Sequence, residues 1–165
     1  MVRTGSLRVF SFASLAFAMV LLPASLVSAD DHESGEAQIE YRQKLMSAIG
    51  ANMGAISDIL KNRLDMPGGV ANHASQMADA AALIAPAFKK QLANGATDAK
   101  PEIWSDWAKF ETAIADYEAA AKALAAAASS GDPSAVGPAM RGLGKSCGGC
   151  HKPFRKPQEE SYKNK

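Results

Sequence analysis

Between Pro101 and Ser129, apolar side chains recur every three or four residues: Ile103, Trp107, Phe110, Ile114, Tyr117, Ala121 and Leu124. That rhythm lays them along one stripe of an α-helix and is incompatible with the period of two of a half-buried strand. Three further segments repeat it. From about Ser34 to Leu64 the stripe is Ile39, Leu45, Met46, Ile49, Met53, Ile56, Leu60 and Leu64, with Ser34 as a cap and "DMPGG" at 65–69 as the stop. From about Val70 to Leu92 it is Val70, His73, Met77, Ile84 and Phe88, with Pro86 expected to kink or interrupt the helix. After "SSGDP" at 129–133, Asp132 caps and Pro133 opens a last helix carrying Val136, Met140, Leu143, Cys147, Cys150 and Phe154. Strand-like alternation is absent, and the connectors are short. The pattern predicts an all-α protein, an antiparallel up-down-up-down four-helix bundle. The polar tail from Pro157 is expected to fray.

The chain begins with Arg3 and Arg8, has no acid before Asp30, and runs apolar from Val9 to Leu22. Pro23 and the small-x-small triplet Val27-Ser28-Ala29 follow. This is the anatomy of a cleaved signal peptide over residues 1–29. The apolar run is shorter than the ~20 residues that span a bilayer, so no stable membrane insertion is expected after cleavage. Residues 30–165 make one ordinary domain. Formal net charge is +1 for the whole chain. Losing two arginines with the leader leaves a near-neutral protein, which gives no reason to expect a nucleic-acid partner.

Both cysteines of the chain stand in one short motif, "KSCGGCHKPF" at 145–154. Cys147, Cys150 and His151 share one side of the last helix, because residues three and four apart are neighbours there. A disulfide closing so small a loop restrains the unfolded chain little. A structural zinc site needs four ligands, and the motif supplies three; the other histidines are only His32 and His73. A thioredoxin-like dithiol requires a βαβ context that is missing. Covalent attachment of haem fits without leftovers: Cys-x-x-Cys-His is the c-type pattern, and export agrees with it.

The motif stands on the last helix of a predicted bundle, and with it the chain resembles the cytochrome c′ family, the class II c-type cytochromes. "YRQKLM" at 41–46 is similar to that family's first-helix haem-contact segment, "KPEIWSDWAKF" at 100–110 to the start of its third helix, and "GKSCGGCHKPFR" at 144–155 to its attachment helix. The resemblance implies one covalent haem c with its iron, thioether bonds at Cys147 and Cys150, and His151 as the proximal iron ligand. It implies a propionate contact for Arg42, which precedes Ile49 by seven residues and so shares the inward stripe. Arg155, four residues after His151, is implied near the proximal pocket.

Met46 decides the type. In the low-spin cytochrome c-556 branch, which "KLMSAIGANMGAI" resembles more closely, a methionine at this position binds iron on the distal face. Met53 then packs in the core, and His73 is a packed or partly exposed core histidine. The expected function is a periplasmic mono-haem cytochrome, an electron carrier rather than an enzyme, with a His/Met-ligated iron and periplasmic redox proteins as partners. The alternative is a high-spin, five-coordinate cytochrome c′ that binds nitric oxide or carbon monoxide. A peroxidase would want a distal acid–base histidine, which the first helix lacks. Pairing into a homodimer through the first two helices is also implied, with Gly50, Ala51 and Gly54 small enough for close approach.

Overall fold

The computed structural model describes residues 29–164. Five helices run in order: α1 (Ala29–Asn62), α2 (Gly69–Phe88), the single turn α3 (Glu102–Ser105), α4 (Trp107–Ser129) and α5 (Pro133–Phe154). Two short 3₁₀ turns follow at Gln158–Glu160 and Tyr162–Asn164. The long helices form the expected four-helix bundle: α1 packs on α2, α2 on α4 and α4 on α5. Among the described residues α1 and α5 barely touch, and the seam between them is where the site lies. The expected signal peptide lies outside the described residues except for Ala29, the first residue of α1.

Most of the predicted stripes are buried. Ile39, Leu45, Ile49 and Ile56 of α1 face inward, whereas Leu60 and Leu64 at its end are exposed. The helix unwinds before the proline: Arg63 adopts a left-handed φ of 53° and the Leu64 amide reaches back to the Ile59 carbonyl at 3.1 Å. α2 ends two residues past Pro86 rather than at Leu92, since a proline can sit in a last turn but not propagate it. The predicted third helix is broken at Asp106, where φ is −133° and ψ 59°. The Asp106 carboxylate accepts from the Lys109 amide at 3.3 Å and caps α4. Before the break, Trp104 Nε1 donates to the Phe88 carbonyl at 2.7 Å and ties α3 to the end of α2. Asp132 caps α5 as expected, accepting from the Ser134 amide at 2.9 Å.

Aromatic rings fill the centre. Phe110 meets Phe88 and Phe154 edge-on, with centroids 5.4 and 5.2 Å apart. Among the described residues no helix is long and apolar enough to cross a membrane.

The tail does not fray. Residues 98–100 and 154–156 pair across a single antiparallel bridge, Ala99 with Arg155. The Lys100 amide donates to Phe154 at 3.0 Å and the Lys156 amide to Asp98 at 2.8 Å. Beyond it, both Asp98 oxygens accept from the tail: Oδ2 from Ser161 Oγ and Oδ1 from the Tyr162 amide, each at 3.0 Å. The buried hydrogen bonds of one carboxylate outweigh the polarity of the segment, which is why composition alone misled.

Candidate functional site

Between α1 and α5 lies a cavity of about 490 Å³. α1 supplies Ile39, Met46, Ile49 and Met53 to one wall, and α5 supplies Cys147, Cys150 and His151 to another. Met77, Phe110 and Tyr117 close its inner end, with the Tyr117 hydroxyl donating to the Met77 carbonyl at 2.9 Å. Burial, with Cys147 nearby, pushes the Tyr117 phenol well above its ordinary pKa, so it stays a neutral donor.

The two thiols are half-buried and not bonded to each other. Burial raises the Cys147 pKa, and burial together with Cys147 pushes Cys150 up to about 11. Such thiols lack the electropositive surroundings that make a reactive dithiol. Burial, then Arg155, holds His151 below its ordinary value, so the ring is neutral with a lone pair for a metal. A structural zinc site would need a fourth ligand beside Cys147, Cys150 and His151, and among the described residues no three or more His, Cys, Asp or Glu side chains are placed to hold a metal ion. Two neutral thiols and a neutral imidazole on the wall of an apolar cavity fit a haem joined through sulfur and ligated through nitrogen.

The sequence-predicted residues divide into two groups. Met46, Met53, Arg42, Arg155, Cys147, Cys150 and His151 all line the one cavity. His73 does not: its Nδ1 lies 2.7 Å from Asn52 Oδ1, between α1 and α2. Arg42 is buried, with 3% exposure, and most of its guanidinium is engaged. Nε donates to the Ala87 carbonyl at 2.8 Å, Nη2 to Lys90 at 2.6 Å and Nη1 to Leu92 at 3.0 Å. It also stacks 4.6 Å from the Phe88 ring centroid and 5.5 Å from that of Trp104. Arg42 thus closes the carbonyl end of α2, a task additional to the propionate contact expected of it. Burial lowers its pKa to about 10, so it is a cation at neutral pH. Arg155 Nη2 lies 3.5 Å from Asp98 Oδ2.

Among the lining residues that sequence reasoning missed are Thr97, Asp98, Tyr162 and Lys163. They belong to a loop and a tail without periodicity, brought together across more than sixty residues.

Fold and site together define a class: helical bundles that hold a haem c on their last helix. The family model for Cytochrome C' matches residues 37–155, and the chain belongs to that family. The family binds haem c covalently through a cysteine pair, and this chain has the pair. Cytochrome c' of Pararhodospirillum photometricum is 39% identical over 123 residues, covering 74% of this chain and 98% of that protein. Cytochrome c-556 of Rhodopseudomonas palustris is 31% identical over 148 residues, covering 86% and 93%. Among solved structures, cytochrome c prime from Shewanella frigidimarina superposes with a TM-score of 0.68 at 31% identity, covering 74% of this chain and 97% of that one. The nitric oxide complex of a cytochrome c prime variant from Alcaligenes xylosoxidans gives 0.66 at 28%, with coverage of 74% and 97%. The higher identity to a cytochrome c' than to the c-556 runs against the low-spin lean of the first-helix segment.

Proposed function

We propose that the protein is a periplasmic mono-haem cytochrome c′ whose distal site, under α1, takes a diatomic gas such as nitric oxide or carbon monoxide. Haem c bound in the cavity would supply a redox-active iron able to take a small ligand. Cys147 and Cys150 hold the group by thioether bonds, and His151 presents its neutral ring nitrogen from α5. Arg155 stands beside His151, and the donors Arg42 has left over are available to a carboxylate. The observation that carries the reading is the wall opposite His151. There α1 contributes Ile39, Met46, Ile49, Gly50 and Met53 beside Arg42, Gln43 and Ser47, and no histidine or carboxylate to relay a proton. Such a wall admits an apolar gas and does not assist peroxide chemistry. The greater likeness to a cytochrome c' points the same way.

The second reading is the His/Met electron carrier, favoured by the presence of Met46 in that wall. Optical spectra of the ferric and ferrous holoprotein, with and without carbon monoxide, decide between them. The gas-binding reading expects a high-spin spectrum and rapid uptake of carbon monoxide by the wild-type ferrous form, little altered in Met46→Ala. A low-spin spectrum with a sulfur-to-iron charge-transfer band, converted to high spin by Met46→Ala, would establish the carrier instead.

Native mass spectrometry of the same sample reads the rest. Export with cleavage after Ala29 predicts a chain starting at Asp30 with one haem added. A homodimer through α1 and α2 predicts twice that mass; Gly50 and Gly54 have open space around them, and Tyr41 and Leu83 are exposed. Recovery of the Met1 end on haem-loaded protein contradicts export, and a strictly monomeric mass contradicts pairing.

A further inference from the structure

The family match ends at residue 155, yet the chain beyond it is built into the site. Lys156 Nζ donates to the Thr97 carbonyl at 3.0 Å. Ser161, only 2% exposed, and the Tyr162 amide take both oxygens of Asp98. Burial raises the Asp98 carboxyl, but these two donors and Arg155 outweigh it and hold the group below its usual pKa. With the tail fixed there, Tyr162 and Lys163 line the cavity.

Haem c brings carboxylate side chains into this cavity, and a carboxylate leaving water requires a cation or strong donors. The arginine and lysine side chains on the lining are Arg42, Arg155 and Lys163. Arg42 is engaged by three carbonyls. Arg155 faces Asp98. Lys163 Nζ donates to no oxygen among the described residues; its contact is the face of Tyr162, 5.9 Å away.

We propose that Lys163, held over the cavity by the grip of Asp98 on the tail, is the cation for a haem carboxylate, so that residues 157–164 are a wall of the haem site. This rests on the reading that haem c is bound at Cys147 and Cys150. A cation there offsets negative charge near the iron and favours the ferrous form.

The test uses the holoprotein with Lys163→Gln, Lys163→Glu and Asp98→Asn. Midpoint potentials are measured at low and high salt, and tail order is followed by hydrogen exchange at the Tyr162 amide. The potential is expected to fall from wild type to Lys163→Gln and further to Lys163→Glu, with the steps shrinking in salt. Lys163→Gln leaves the Tyr162 amide protected. Asp98→Asn speeds its exchange by about tenfold or more, and in that background adding Lys163→Gln no longer shifts the potential. Wild-type potentials in both Lys163 variants overturn the proposal, as do equal, salt-insensitive drops, which signal packing rather than charge. Intact mass separates the two failures: a chain without haem brings down the functional reading as well, whereas a haem-loaded chain with unmoved potentials brings down this inference alone.

Discussion

Arg42 joins α1 to the end of α2 through three carbonyl oxygens, and removing it strands all three. Hydrogen bonds to charged groups contribute about 1.5–3 kcal/mol each, although water entering the half-open loop recovers part of that. Arg42→Met is therefore expected to destabilise the holoprotein by about 3 kcal/mol, read as a lower denaturation midpoint in urea. Arg42→Lys should recover little, because one ammonium cannot reproduce a planar fork spread over three acceptors. A midpoint unchanged within error would mean that water serves those carbonyls equally well. The inward position of Arg42 was legible in its seven-residue distance from Ile49. Its partners were not, since they lie 45 to 50 residues away and no local pattern announces a backbone acceptor.

The helices themselves could be read because each carries its own period, its own cap and its own stop. What could not be read are features that depend on contact. The apolar stripe runs unbroken through Asp106, so nothing in it marks the interruption between α3 and α4; the break follows from Trp104 docking on Phe88. The tail is the larger case, because its order is a property of Asp98 rather than of its own composition. That dependence has a sign. The folded Asp98 pKa is depressed, so its contribution is complete above the unfolded value of about 3.9 and is lost as pH falls through the folded value. Acidification is expected to free the tail on the acid side only, below about pH 4. The Tyr162 amide shift in NMR should then move toward a random-coil position while the resonances of Phe110 stay native. In Asp98→Asn the transition should vanish. A tail that stays docked in the wild type down to pH 2 would falsify this account.

The bundle is built around a space it does not fill with its own side chains. The cavity of about 490 Å³ between α1 and α5 is lined largely by apolar side chains that a bound haem would take out of water, a gain of about 25 cal/mol per Å² covered. Cys147→Ala with Cys150→Ala is therefore expected to yield an expanded chain of reduced helicity, seen as a weaker far-UV circular dichroism signal and earlier elution on gel filtration. A compact, fully helical haem-free protein would show that α1 and α5 can close on one another. They do not do so here: α1 is carried by α2, and α5 by α4. The first and last helices to be synthesised are thus the two that meet only across the cavity. Among the described residues the seam between α1 and α5 is the one place where a flat group can enter the bundle without parting α1 from α2, α2 from α4 or α4 from α5.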